Sequence, residues 1–240
     1  MELQSLHTKV IVVTGASKGI GRAMSLLFAE KGATVYAIAR NEALLQELAA
    51  EAAHLDGRIL PAPCDITRRQ SVEEMFERIV QQEEKIDALI NNAGLGHFAP
   101  IHELSEAQWD EMMNVNLKGV FLCTKYAVPH MIKQRSGHIV NISSVAGTVT
   151  FTGGGGYCTS KFGLMAFNDV LTQEMKPHNI KVSVICPGSV QTHFGQSDPK
   201  DYALRPEDVA YMAYQMIAAP EHVIMNQVIM RPVVPQHLQK

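Results

Sequence analysis

The run Val10-Ile11-Val12-Val13-Thr14, followed at once by Gly15, Gly19 and Gly21, does most to limit the folds open to this chain. Four consecutive β-branched residues with no polar alternation suit a strand buried on both faces, as in a parallel sheet covered by helices. The glycine turn opens a helix from about Ile20 to Lys31, with Gly32 placed as its C-terminal cap. The rhythm then repeats. Thr34 to Ala39 is predicted as a second strand, and Asn41 caps a helix running to about Ala53. A strand from Arg58 to Ala62, a helix from Thr67 to Glu84 and a strand from Asp87 to Asn91 follow. Ser105-Glu106-Ala107-Gln108 reads as a capping box opening one long helix to about Met131. Strands at His138 to Ile142, Val182 to Cys186 and Val223 to Met230 alternate with helices at Tyr157 to Met175 and after Pro206. Such alternation predicts an α/β fold: a single doubly wound domain over residues 1–240, its seven-stranded, mainly parallel sheet carrying helices on both faces.

Composition narrows the function classes. The formal net charge of −3 gives no basic footprint for nucleic acid. No apolar run reaches the length of a membrane span, and the start Met1-Glu2-Leu3-Gln4-Ser5 lacks a signal-peptide pattern. Four scattered cysteines and ten dispersed histidines show no metal-ligand spacing, so no metal site is expected. The cysteines read as reduced thiols and the location as cytoplasmic.

Three stretches carry chemistry. In Thr14-Gly15-Ala16-Ser17-Lys18-Gly19-Ile20-Gly21, a glycine turn joins a strand to a helix. Its backbone N–H groups and the positive helix end suit a pyrophosphate, as in a Rossmann-type dinucleotide site. At the end of the second strand stands Ala39-Arg40, where an NAD enzyme would carry an acidic residue for the ribose hydroxyls. Arg40 and Lys18 suit a 2′-phosphate with no carboxylate opposing them, which favours NADP over NAD. Two solvated surface cations are the alternative.

Tyr157-Cys158-Thr159-Ser160-Lys161 places a phenol and an ammonium four residues apart, on one helix face. A nearby ammonium lowers a phenol pKa from its ordinary ~10, fitting Tyr157 to exchange a proton with a carbonyl/alcohol couple. The pair alone also fits an ordinary helix surface.

With these residues in view, the chain resembles the short-chain dehydrogenase/reductase family over roughly its whole length. The matching segments are Thr14 to Gly21, Asn91-Asn92-Ala93-Gly94, Asn114-Val115-Asn116, Asn141-Ile142-Ser143-Ser144, Tyr157 to Lys161 and Pro187 to Thr192. Tyr157 stands thirteen positions after Ser144, as the resemblance requires. The resemblance implies a catalytic tetrad of Asn116, Ser144, Tyr157 and Lys161. Tyr157 would protonate the carbonyl oxygen as hydride arrives, and Ser144 would hydrogen-bond that oxygen. Lys161 would hold the nicotinamide ribose, and Asn116 a water that passes protons to Lys161. It implies that Gly15, Ser17, Lys18, Gly19, Ile20 and Gly21 cradle NADP(H) and that Asp65 and Ile66 meet the adenine. Asn92, Ala93 and Gly94 would run beside the cofactor, and Pro187, Gly188, Val190 and Thr192 would line the nicotinamide. It also implies a homodimer or homotetramer.

The pattern departs in places. Only twelve residues, His193 to Leu204, separate Thr192 from Arg205-Pro206, which implies a weakly enclosed pocket with Gly153 to Gly156 on its rim. His193 and Phe194 stand where substrate contacts occur in relatives. Asn226-Gln227-Val228-Ile229-Met230 lacks a Gly-Gly pair and looks like NADP-dependent members that reduce small hydroxy or carbonyl compounds. A 3-oxoacyl-acyl-carrier-protein reductase is the nearest rival. Arg135 matches a docking arginine of that subgroup, the second docking position is His178, and Lys133 and Lys176 lie nearby. Two rival classes therefore stand: a carbonyl reductase/alcohol dehydrogenase acting on a small carbonyl or alcohol, or on acyl carrier protein, and a non-catalytic NADP(H)-sensing protein.

Overall fold

The computed structural model describes residues 3–192, 194 and 201–233. One seven-stranded sheet runs through them in the order β3-β2-β1-β4-β5-β6-β7, with every strand pair parallel. The strands are β1 (Val10–Thr14), β2 (Thr34–Ala39), β3 (Arg58–Pro63), β4 (Ala88–Asn91), β5 (Gly137–Ile142), β6 (Ile180–Pro187) and β7 (Gln227–Met230). The helices between them are α1 (Gly19–Glu30), α2 (Glu42–Glu51), α3 (Arg69–Glu83), α4 (Glu106–Met113), α5 (Val120–Gln134), α6 (Gly155–Met175) and α7 (Pro206–Ile217). This is a doubly wound Rossmann-type fold.

The reason lies in two apolar faces. Ile11 and Val13 point to one side of β1, against Met24 and Phe28 of α1, Leu45 and Leu48 of α2, and Val209 and Met216 of α7. Val10 and Val12 point to the other, against Val72, Met75 and Phe76 of α3, Leu122 and Cys123 of α5, and Leu171 and Met175 of α6. Each strand side chain buried this way contributes roughly 1.5–3 kcal/mol. All four cysteines are buried and free. Among the described residues no helix is long and apolar enough to cross a membrane.

Two boundaries differ from the sequence reading. The helix opened by Ser105 is not one regular rod, because Asn114–Gly119 winds as a π segment between α4 and α5. The apolar stripe continues through it, so side-chain periodicity does not reveal the wider turn. The last strand begins at Gln227 rather than Val223, because residues 220–223 form a turn. There Val223 N–H donates to the Pro220 carbonyl, and Lys181 Nζ donates to the Val223 carbonyl at 2.8 Å.

The order reverses between β1 and β4, and ligands of open α/β sheets bind beyond the C-terminal strand ends at such a switch point. Here those ends deliver Gly15, Arg40, Asp65, Asn92, Ser144 and Gly188, one from each of β1 to β6, to one cleft of about 2100 Å³.

Candidate active site

The cleft begins at the glycine turn. Gly15 and Gly19 take φ values of +68° and +53°, which L side chains rarely adopt. A Cβ on Gly15 would stand 2.8 Å from Ala93 Cα, and one on Gly21 would strike the Gly15 carbonyl. The turn is thereby laid against Asn92 and Ala93. Thr14 fastens the two: its Oγ1 accepts from the N–H groups of Asn92 and Ala93, both at 3.0 Å, and donates to the Ile90 carbonyl. Asn92 Nδ2 donates back to the Thr14 carbonyl at 2.9 Å. The Asn92 side chain is thus a brace of the cleft wall, a use its position in the sequence does not announce. Thr14 was missed as a functional residue; the signal was a hydroxyl at a strand end directly before the glycines.

Lys18 caps α1 without a side-chain hydrogen bond, and no acidic residue stands in the first turn. The N–H groups there, with Ser17, Gly19 and Ile20 beside them, face the cleft and fit an anion. The residues present therefore suit a dinucleotide pyrophosphate: a glycine cradle that a Cβ would fill, against an uncapped helix start.

Arg40 and Lys18 both line the cleft. The expectation that no carboxylate opposes them needs correction. Cys64 N–H donates to the Ala39 carbonyl, which brings the end of β3 to the end of β2 and Asp65 to Arg40. Burial acts against ionisation of Asp65. Hydrogen bonds from the Thr67 hydroxyl and N–H, with the charges of Arg40 and Arg68, outweigh it and hold the carboxyl below its ordinary value. Asp65 is a fixed anion closed into its own turn, with Thr67 Oγ1 at 2.7 Å. Ile66 lies beside it, its side chain filling the space a Cβ on Gly119 would need.

At the other end of the cleft stand the four tetrad positions. Tyr157 lies in the first turn of α6 and Lys161 one turn on, only 8% and 4% exposed. That burial removes the surface-pair alternative. Lys161 Nζ is 5.8 Å from the Tyr157 ring centroid and donates to the Ile142 carbonyl at 2.9 Å. Ser144 Oγ accepts from Ala146 N–H at 3.1 Å and donates to the Pro187 carbonyl at 3.4 Å, on the same cleft wall as Tyr157. The expected lowering of the phenol pKa is not found: burial pushes Tyr157 up to about 12, and the nearby Ser144 hydroxyl only partly offsets it. Burial also pulls Lys161 down to about 8, so its own charge is weakened by the desolvation that raises the phenol.

Asn116 is fully buried in the π segment. Its Nδ2 donates to the Leu95 carbonyl and to Ser160 Oγ, both at 2.9 Å, and its Oδ1 accepts from Leu95 N–H at 2.9 Å. Through these bonds it ties the chain after β4 to α6 and holds Gly94 and Leu95 beside Lys161. A second buried chain of amides, Asn91 to Asn141 at 2.9 Å and Asn141 to Asn168 at 3.0 Å, braces β4, β5 and α6 behind the site. Asn168 carried no sequence signal beyond being polar on an apolar helix.

Pro187, Gly188, Val190 and Thr192 line the same cleft, as do Ala93 and Gly94. The segment after Thr192 leaves and returns at one point, with Val190 bridged to Leu204. His193, like residues 195–200 and the tail beyond 233, lies outside the described residues. The glycine run does not form the expected rim. A Cβ on Gly154 would meet the Phe151 ring at 2.6 Å and one on Gly155 the Ile101 side chain at 2.8 Å, while Gly156 packs under Met112. These glycines are covered from outside, and Val149 and Phe151 line the cleft instead.

The comparisons with known proteins agree with this geometry. The sequence pattern of the short chain dehydrogenase family matches residues 9–203. The chain belongs to the short-chain dehydrogenase family. It is 38% identical over 236 residues to the 3-oxoacyl-[acyl-carrier-protein] reductase of Thermotoga maritima, covering 93% of this chain and 96% of that one. A metagenomic short-chain oxidoreductase solved with NADP superposes with a TM-score of 0.87 at 30% identity, over 97% of this family member and 100% of the other. The alcohol dehydrogenase of Thermococcus sibiricus, solved with 5-hydroxy-NADP, gives 0.89 at 29% identity, over 94% and 97%. The protein is thus an oxidoreductase of this family.

Proposed function

We propose that this oxidoreductase transfers hydride between NADP(H) and a carbonyl/secondary alcohol pair. The observation that carries the reading is the buried pair Tyr157 and Lys161, lining with Ser144 a cleft continuous with the glycine cradle. NADP in one structural neighbour and 5-hydroxy-NADP in another support the cofactor, as do Arg40 at the end of β2 and Lys18 in the glycine turn.

The cofactor supplies hydride at its nicotinamide. The protein holds it: Gly15, Ser17, Lys18, Gly19, Ile20 and Gly21 at the pyrophosphate, Arg40 with Lys18 at the 2′-phosphate, and Asp65 and Ile66 at the adenine. Asn92, Ala93 and Gly94 flank it through their backbone, and Pro187, Gly188, Val190 and Thr192 receive the nicotinamide. Tyr157, with its pKa pushed up to about 12, keeps its proton across the neutral range and offers it to the carbonyl oxygen. Ser144 gives that oxygen a second hydrogen bond where negative charge develops. Lys161, anchored on the Ile142 carbonyl, holds the ribose and steadies the phenolate once the proton has gone. Asn116 positions the Gly94–Leu95 wall and α6 around them.

Reduction of a panel of ketones and aldehydes, followed by loss of reduced-nicotinamide absorbance, tests the reading. Turnover with NADPH that disappears in Tyr157→Phe is the expected result. Tight NADPH binding without oxidation on any carbonyl would instead favour a sensing role.

A second reading, reduction of 3-oxoacyl-acyl-carrier-protein in a homodimer or homotetramer, is favoured by the 38% identity to the Thermotoga enzyme. Among the described residues, the expected docking positions Arg135 and His178 do not line the cleft. Arg135 and His178 immediately precede β5 and β6, and Asn179 Nδ2 donates to the Arg135 carbonyl at 3.1 Å. They stand at the N-terminal edge of the sheet, a strand length of roughly 20 Å from Ser144. A carrier protein docked on these residues would therefore deliver its acyl group to a different copy of the chain. The same panel with 3-oxoacyl thioesters, free and carrier-bound, separates the two readings.

A further inference from the structure

Two phenylalanines from separate segments meet the Tyr157 ring, and a third, from another segment, packs on one of them. Phe98 follows β4, Phe151 precedes α6, and Phe194 follows β6. Phe98 meets Tyr157 edge-on, with centroids 5.5 Å apart and planes at 77°. Phe194 lies 5.4 Å from Tyr157 and 6.4 Å from Phe98, and Phe151 lies 5.9 Å from Phe98. Residue 96 is glycine, and the rings of Phe194 and Phe98 occupy the space its Cβ would fill, each at 2.9 Å. A side chain there would part the two rings.

Tyr157 and Phe194 belong to a small buried cluster, but the other two rings stand at its open side. Phe98 and Phe151 are 45% and 48% exposed, yet both line the cleft, as Phe194 does. Large apolar side chains held half-open in a concave site are a surface kept for a partner rather than a packing remnant. Any carbonyl oxygen that reaches the hydroxyls of Tyr157 and Ser144 brings its substituents within reach of these rings.

We infer that the substrate carries a flat apolar group, aryl or conjugated ring, directly on the carbonyl carbon, and that Phe98, Phe151 and Phe194 select it. The inference rests on the hydride-transfer reading above and names the substrate class for it. Ring edges and faces reward a flat π-system beyond the area it buries, with centroids 4.5–7 Å apart, whereas an alkyl chain gains area alone. Two such contacts favour the aryl compound by about tenfold in kcat/KM over an alkyl ketone of equal carbon count.

The test compares acetophenone with 2-octanone at saturating NADPH, in the full-length protein and in Phe98→Leu and Phe151→Leu. Leucine keeps an apolar side chain at two half-exposed positions and removes the ring. The expected result is a kcat/KM ratio near or above tenfold for acetophenone, falling towards one in both variants while the Kd for NADPH stays unchanged. A ratio at or below one in the unaltered protein, or a ratio that both variants leave intact, overturns the inference with hydride transfer still standing. Reduction of a 3-oxoacyl thioester but of neither ketone does the same. Failure to reduce any carbonyl with NADPH bound removes the hydride-transfer reading and the inference with it.

Discussion

Lys161 aims its ammonium at the Ile142 carbonyl, 2.9 Å away, with the Tyr157 ring centroid 5.8 Å off. The lysine is thus fixed to the end of β5, and the phenol keeps its proton. Removing the tyrosine hydroxyl should therefore remove the proton donor and little else. Tyr157→Phe is expected to lower kcat by about 10²- to 10⁴-fold while the Kd for NADPH changes by less than about threefold. Single-turnover rates and fluorescence titration of NADPH measure the two separately.

Arg40→Asp should weaken NADPH far more than NADH. A charge-assisted contact to the 2′-phosphate contributes about 1.5–3 kcal/mol, or roughly 10- to 150-fold in Kd. Asp65 beside it would then face a second carboxylate, so the loss should sit at the upper end. Calorimetric titration with both nucleotides checks this, and equal losses would place the 2′-phosphate elsewhere.

Asn116→Ala should cost stability as well as rate. It leaves the Leu95 backbone and Ser160 Oγ short of three hydrogen bonds in a fully buried position. An orphaned buried polar group costs about 1–3 kcal/mol, which for a chain of this size lowers Tm by several degrees, about 2–4 °C per kcal/mol. Asn116→Asp, which keeps only the acceptor, should fall between, read by thermal unfolding.

Burial holds His138 down to about 3, with the charge of Lys181 acting the same way. The unfolded chain takes up a proton near 6.5 that the folded one refuses, so stability is full above about pH 6.5 and is lost as pH falls towards 3. Across that window the loss is on the order of 5 kcal/mol. His138→Gln, which still offers a hydrogen bond to Ser183, should flatten the acid side of a urea-denaturation profile between pH 6.5 and 4.

Most of the fold was readable in the chain because its strands are buried on both faces, and Val10 to Val13 leave no other use for themselves. Tyr157 and Lys161 were readable as a pair because helical spacing alone puts them on one face. Where the Lys161 ammonium goes was not, since its partner is a carbonyl at the end of a strand nineteen residues earlier, and only the stacking of α6 on β5 brings them together. Asp65 beside Arg40 depends likewise on the β2–β3 register. The glycines at 153–156 read as loose rim because glycine marks both open loops and crowded contacts; at 154, 155 and 156 Phe151, Ile101 and Met112 decide for the second. The π segment escaped because a single wider turn leaves the apolar stripe almost in phase.

The Thr14 hydroxyl holds the glycine turn and the Asn92–Ala93 wall at a fixed separation, with one donor bond and two accepted ones. The slot for the dinucleotide is consequently gauged by that hydroxyl together with the Asn92 amide. Nothing need be closed or ordered there when the nucleotide arrives, so affinity at this end should show in a slow off-rate rather than in a slow on-rate. Thr14→Ser keeps the hydroxyl, and Thr14→Val, nearly the same shape, takes it away.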